Sequence, residues 1–187
     1  MKRACLLTGE PGVGKTTLIK QAVETAQARA GGFYTEEIRV SGARRGFKIV
    51  TLDGESAILA HADFESPHRV SKYGVDVEGL ERVGVAALRD AIRDCDLVVI
   101  DEIGKMELCS PAFREAATQA LDSGKLVLGT IMAARHPVAD DIKRHPDVTV
   151  VAVTRANRQR VLEGLADWLR AATGGSAAAK RDDVQDE

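Results

Sequence analysis

The chain is poor in aromatic side chains, with one Trp, two Tyr and four Phe in 187 residues. Its core must therefore be assembled from Val, Leu, Ile and Ala. The three cysteines, Cys5, Cys95 and Cys109, are odd in number and widely spaced. That excludes a disulfide framework and a cysteine zinc site. Cys5 and Cys95 lie in or beside apolar runs and read as core residues. The four histidines, His61, His68, His136 and His145, show no metal-ligand spacing. No apolar stretch approaches the length of a membrane span, so no membrane association is expected. The apolar run in "MKRACLLTGEPG" ends at Leu7 and is too short for a signal peptide, which points to a cytoplasmic protein. Neither sign of charge is in excess: the formal net charge is −2. A nucleic-acid partner held by phosphate neutralisation is therefore not expected. What remains is an ordinary globular composition, 44% hydrophobic and 29% charged. A monomer is expected.

Strand-like and helix-like segments alternate along the chain. Ala4 to Thr8 is an apolar strand, and "KTTLIKQAVETAQARA" puts Leu18, Ile19, Ala22, Val23 and Ala26 on one helical face. "GFYTEEIRV", "GFKIVTL" and "SAILAH" read as a β-meander joined by turn-rich "SGARRG" and "DGE". "SPHRVSKYGVDV" reads as loop with a short strand. A helix is expected from Glu78 to about Asp94 with Leu80, Val83, Ala87, Leu88, Ala91 and Ile92 inward. The strand Leu97 to Ile100 follows. Ser110 as N-cap, Pro111 and Gly124 then bracket a further helix. "KLVLGTI" and "VTVVAV" are strands, "HPVADDIKRHP" a short helix, and Asn157 to about Ala172 the last helix, with Trp168 on its inward face. This alternation implies an α/β fold: a mostly parallel central sheet with helices on both faces. The expected organisation is one domain over residues 1–172, with a β-meander insertion at 33–61. Residues 173–187 read as a disordered tail.

Gly9-Glu10-Pro11-Gly12-Val13-Gly14-Lys15-Thr16 fits G-x-x-x-x-G-K-[ST] and sits between an apolar strand and a helix, as a phosphate-binding P-loop requires. Gly9, Gly12 and Gly14 let the main chain approach phosphate oxygens, successive N–H groups form an anion nest, and the helix start adds its positive dipole end. Lys15 is expected to bridge the β- and γ-phosphates, Thr16 to ligate Mg²⁺, and Thr17 to reach the α-phosphate.

"LVVIDEIGKMEL" supplies the opposite pole. Its apolar run reads as a strand buried on both faces and delivered beside the P-loop, and its carboxyl end presents Asp101 and Glu102 together. Adjacent carboxylates repel unless a cation lies near. With a P-loop in the chain that cation is Mg²⁺ on the nucleotide. Asp101 is then the expected metal-holding acid of a Walker B strand, and Glu102 the residue that orients and deprotonates the attacking water. Lys105 is a candidate to contact phosphate or neutralise the acid pair, and Thr130 a candidate γ-phosphate sensor. Arg39, Arg44, Arg45 and Lys48 cluster on the first hairpin. They read as a solvated face from which one arginine is available as a finger.

Together "GEPGVGKTTL", "GFYTEEIR", "GFKIVTLDG", "KYGVDVEGLE", "DLVVIDEIGKMEL", "LVLGTI" and "VTRANR" resemble the THEP-type nucleoside triphosphatases, over about residues 3 to 170. The resemblance implies a RecA-like, three-layer P-loop NTPase core with an inserted β-hairpin region. It also implies Mg²⁺-dependent hydrolysis of ATP, GTP and often other nucleoside triphosphates. It carries nucleotide binding to Gly9 through Thr16 and, as a second segment, to Val98, Val99, Ile100, Asp101, Glu102, Ile103, Gly104 and Lys105. "TRANR" puts Asn157 and Arg158 near the base. The Ala-rich acidic tail departs from the family pattern.

The same cradle serves other chemistries. A nucleotide or small-molecule kinase needs an acceptor pocket and a water-excluding lid, and the Arg44–Arg45 hairpin is a candidate for one. A GTPase-like switch would use "DEIG" as D-x-x-G, but the chain contains no [NT]KxD guanine motif. A nucleic-acid-dependent motor is disfavoured by the charge balance. Glu102 beside Asp101 suits water activation, so a slow, base-tolerant triphosphatase is the favoured reading.

Overall fold

The computed structural model describes residues 1–178. One nine-stranded sheet runs through the molecule in the order β5-β6-β4-β3-β2-β7-β8-β1-β9. The strands are β1 (Ala4–Thr8), β2 (Ala30–Val40), β3 (Ala43–Thr51), β4 (Ser56–His61), β5 (Arg69–Val70), β6 (Tyr73–Val75), β7 (Leu97–Ile103), β8 (Leu126–Ile131) and β9 (Val148–Ala152). β2, β7, β8, β1 and β9 pair in parallel, and the strands beyond β2 pair antiparallel.

The parallel half is apolar on both faces because its strands alternate between two cores. Val98 and Ile100 of β7 face one core, and Leu97 and Val99 the other. Leu6 and Leu7 of β1 divide in the same way. Side chains two residues apart share a face, so an unbroken apolar strand must be covered on both sides. On one side lie α3 (Ala86–Asp94), α4 (Pro111–Asp122) and α5 (Pro137–Arg144), through Leu88, Phe113 and Ile142. On the other lie α1 (Lys15–Thr25) and α6 (Arg158–Ala178), through Leu18, Ile19, Val161 and Leu165. Three layers result.

Four features differ from the sequence reading. First, the acid-bearing strand does not neighbour the P-loop strand, because β8 pairs with both and lies between them. Second, the antiparallel extension begins inside a core strand. Ala30–Tyr34 of β2 pair with β7, while Phe33–Val40 pair with β3. The extension also passes His61, continuing through β6 and β5, two short paired strands where loop with a single short strand was expected. Third, the expected helix from Glu78 to Asp94 contains a π-helical stretch, Leu80–Val85, between α2 (Val77–Gly79) and α3. The wide turn buries Val83, Gly84 and Val85 in succession, which a regular 3.6-residue stripe does not. Fourth, α6 continues past Ala172 to Ala178. The rest of the expected tail lies outside the described residues. Trp168 is half-buried against the α1–α6 core and donates its indole N–H to the Lys2 carbonyl at 3.1 Å. Among the described residues no helix is long and apolar enough to cross a membrane.

With so few aromatics, each buried one carries a large share of the packing. Phe113 is fully buried, with its ring centroid 6.2 Å from that of Phe33 on β2. It thereby ties α4 to the strand that carries the extension. Phe113→Ala should cost ~3–5 kcal/mol, read as a lower urea midpoint with an unchanged m-value.

Candidate active site

Between β1 and α1 the chain makes the loop expected of the glycine pattern. Gly14 takes the left-handed conformation (φ 98°) immediately before α1. A side chain there would also meet Arg158, whose Cζ lies 2.8 Å from the position of a Cβ. The Lys15 ammonium turns back over the loop and donates to the carbonyls of Gly9 (2.8 Å) and Glu10 (3.2 Å). Pro11 has no N–H, and the Val13 N–H is bonded to the Glu10 carbonyl at 3.3 Å. The first-turn N–H groups of α1 have no intrahelical acceptor, which leaves them for an anion.

A cavity of about 530 Å³ opens on this loop. Pro11, Gly12 and Gly14 line it from the loop, Lys15, Thr16 and Thr17 from the start of α1, Asp101 and Glu102 from β7, and Thr35, Glu37, Arg44 and Phe47 from the β2–β3 hairpin. The acids reach the cavity because parallel strands all end on the same side, so the carboxyl ends of β1 and β7 open together even with β8 between them.

Asp101 is 2% exposed. Burial pushes its carboxyl above the ordinary range, opposed by the Thr130 and Thr16 hydroxyls and by Lys15. The Thr130 hydroxyl donates to Oδ1 at 2.5 Å, while Oδ2 is buried without a hydrogen-bond partner. A buried anionic oxygen left open beside a threonine hydroxyl suits a hard divalent cation, which takes oxygen ligands. Glu102, half-buried, is also raised, first by burial and then by the charge of Asp101. The peptide between the two acids is cis.

Several expected site residues lie elsewhere. Val98, Val99, Ile100 and Ile103 are fully buried core residues, so of the second segment only Asp101 and Glu102 line the cavity. Their role is to place the strand. Gly104 is buried and gives its N–H to Glu107 Oε2 at 3.2 Å. Lys105 is exposed and does not line the cavity, because the chain turns away after Gly104. Thr130 also lies behind the cavity wall, and its hydroxyl proton is committed to Asp101. The Asn157 amide braces its own loop, accepting from Thr154 N–H (2.8 Å) and donating to the Ala152 carbonyl (2.9 Å). Arg158, by contrast, packs on the phosphate loop at Gly14. Sequence reasoning missed Thr35, Glu37 and Phe47. Their only signal was membership of "GFYTEEIR" and "GFKIVTLDG".

Glu107 is the group no motif explained. Burial raises its carboxyl to about 8, with the charge of Glu102 adding to the shift. It sits across Gly104 from Glu102, since a Cβ on that glycine would lie 2.9 Å from Glu107 Oε2 and 3.2 Å from Glu102 Oε1.

A strand–loop–helix turn rich in free amides, closed by a lysine and faced by two acids from a parallel strand end, defines the P-loop nucleotide-binding class. The chain belongs to the NTPase family, whose model matches residues 4–166. It is 49% identical over 165 residues to the nucleoside-triphosphatase THEP1 of Thermotoga sp. (strain RQ2), covering 88% of this chain and 94% of that one. It is 42% identical over 180 residues to the cancer-related nucleoside-triphosphatase of Homo sapiens, covering 87% and 94%. The crystal structure of THEP1 from Aquifex aeolicus superposes with a TM-score of 0.81 at 38% identity, covering 89% of this chain and 98% of that one.

Glu107 also gives a pH prediction. The folded state keeps its proton up to about pH 8, whereas the unfolded chain releases it near 4.5. Its contribution to stability is therefore complete below pH 4.5 and is lost as pH rises to 8. Glu107→Gln, which cannot ionise, should gain stability relative to wild type across that window, by about 1.4 kcal/mol per pH unit at most. Urea unfolding of both proteins at pH 5, 6.5 and 8 checks the sign.

Proposed function

We propose that this protein is a Mg²⁺-dependent nucleoside triphosphatase that converts ATP, GTP and other nucleoside triphosphates to diphosphate and phosphate. The single observation that carries the reading is the shared cavity, lined by Gly12 to Thr17 less the buried Val13 and by Asp101 and Glu102. It is the arrangement that in-line attack of water on a terminal phosphate requires. The relatives named nucleoside-triphosphatase support it.

The loop amides and Lys15 bind the phosphates, and Thr17 reaches the α-phosphate side. Thr16 and Asp101 would hold Mg²⁺, which when bound offsets charge on the phosphate oxygens. Thr130 fixes the Asp101 carboxylate through Oδ1, leaving Oδ2 for the metal or its water. Glu102 takes the proton of the attacking water. The bond from water oxygen to the γ-phosphorus forms as the bond to the β–γ bridging oxygen breaks, and the diphosphate leaves. The raised basicity of Glu102 favours this step. Arg158, packed on the loop, takes the base-side role. The sequence carries no [NT]KxD guanine motif, so base tolerance is expected. The protein acts in this reading as a cytoplasmic monomer on free nucleotide, without nucleic acid. The domain spans 1–172, with the hairpin region as part of the same unit.

Turnover is expected to be slow, ~10⁻³ to 10⁻² per second. Phosphate release measured with each of the four common triphosphates, with and without Mg²⁺, tests the function. Activity should require the metal and differ little among bases. Phosphate transfer to added nucleosides or monophosphates in place of release would instead favour a kinase. Lys15→Ala should abolish tight binding of a fluorescent triphosphate. Glu102→Gln should bind normally and lose at least ~10²-fold in turnover. A normal rate in Glu102→Gln would assign the water to another residue.

A further inference from the structure

The β2–β3 hairpin contributes more to the cavity than a lid would need. Of its four basic residues, each is ion-paired on the hairpin or its flank: Arg39 and Arg44 with Glu37, Lys48 with Glu36, and Arg45 with Asp63. These pairs are half-exposed, so they add little to stability. Only Arg44 lines the cavity. Its side chain is held at three points. Nη1 donates to Glu37 Oε1 at 2.8 Å, Nε donates to the hydroxyl of buried Tyr73 at 3.2 Å, and the guanidinium lies 5.2 Å from the centroid of the Phe47 ring. Nη2 makes no hydrogen bond among the described residues. With Nε and Nη1 holding its orientation, the guanidinium keeps Nη2 as a free donor for an oxyanion.

Sheet order says which oxyanion. Across the carboxyl ends run β3, β2, β7, β8 and β1, so Asp101 and Glu102 at the end of β7 lie between the hairpin on one side and the phosphate loop on the other. A triphosphate seated on the loop has its terminal phosphate at those acids. That phosphate then lies between Lys15 and the hairpin. Thr35, whose hydroxyl donates to the Asp101 carbonyl at 2.7 Å, ties the root of the hairpin to the acid strand.

We propose that Arg44 is a catalytic arginine supplied by the same chain, which binds the γ-phosphate oxygens through Nη2 as the bond to the leaving diphosphate breaks. Glu37, Tyr73 and Phe47 position it. The inference rests on the hydrolase reading above and adds to it the source of the second cation. It also means that no partner protein is needed to complete the site.

The test compares wild type, Arg44→Ala, Arg44→Lys and Arg45→Ala, the last pairing with Asp63 away from the cavity. Melting temperature, phosphate release from Mg·ATP, and capture of Mg·ADP with and without fluoroaluminate, a transition-state mimic, are read on each. Arg44→Ala should lose about 20-fold in kcat, down to the range of an enzyme without a finger, with KM within about threefold, bind ADP normally and fail to capture fluoroaluminate. Arg44→Lys should restore little, because a point charge does not replace the fork. Added guanidinium should restore part of the Arg44→Ala rate. Arg45→Ala should match wild type, and wild-type kcat should not change over a hundredfold range of protein concentration. Arg44→Ala within threefold of wild type in kcat, or with normal fluoroaluminate capture, overturns the proposal. If Arg44→Ala does not fold, the Lys variant decides it: wild-type turnover and capture there overturn it. A rate that climbs with protein concentration overturns the same-chain supply. Absence of phosphate release from wild type would instead overturn the hydrolase reading, which keeps the two failures distinct.

Discussion

The site is organised around one buried carboxylate. Asp101 stands at the end of a strand covered on both faces, almost wholly out of water. A charge placed there is costly unless it is hydrogen-bonded or met by a cation. The protein supplies part of that compensation: the Thr130 hydroxyl satisfies Oδ1, and the Thr16 hydroxyl and Lys15 also favour the charge, while Oδ2 makes no hydrogen bond. In the proposed function a cation at the second oxygen links the rest of the cavity to it. The lysine and the first turn of α1 would hold the polyanionic phosphate, and the metal it carries would meet Asp101. In that reading binding and catalysis form one electrostatic circuit.

The sheet makes this circuit possible without local contact between its parts. β8 separates the loop strand from the acid strand and uses that position to present Thr130 to Asp101 from within the layer. On the other side β2 serves twice, first as a parallel core strand beside β7 and then as the first arm of the hairpin. The switch occurs level with Asp101, as Tyr34 pairs with it. The hairpin is consequently rooted at the reacting end of the sheet, and Thr35, Glu37, Arg44 and Phe47 enter the cavity directly.

A third acid lies behind the first two. Glu107, neutral up to about pH 8, accepts the Gly104 N–H and packs across that glycine from Glu102. A Cβ at Gly104 would press on both carboxyl tips and displace them. The same turn carries Lys105 outward to solvent, so a residue three places from a catalytic candidate in sequence is absent from the cavity in space.

The sequence alone determined what is contiguous: the phosphate loop, the alternation of strand and helix, and the pairing of Asp101 with Glu102. Each of these is encoded by near neighbours, through glycine conformation, side-chain periodicity and adjacent charge. The tertiary structure decided which distant side chains join them. Thr130 faces an acid and not a phosphate because of where β8 sits, Val98 to Ile100 are core because a two-faced strand has no surface, and Arg44 stands apart from Arg39, Arg45 and Lys48 only because the hairpin aims it into the cavity. Strand order and hairpin direction arise from burying two apolar faces at once, a global condition that no short stretch of residues records.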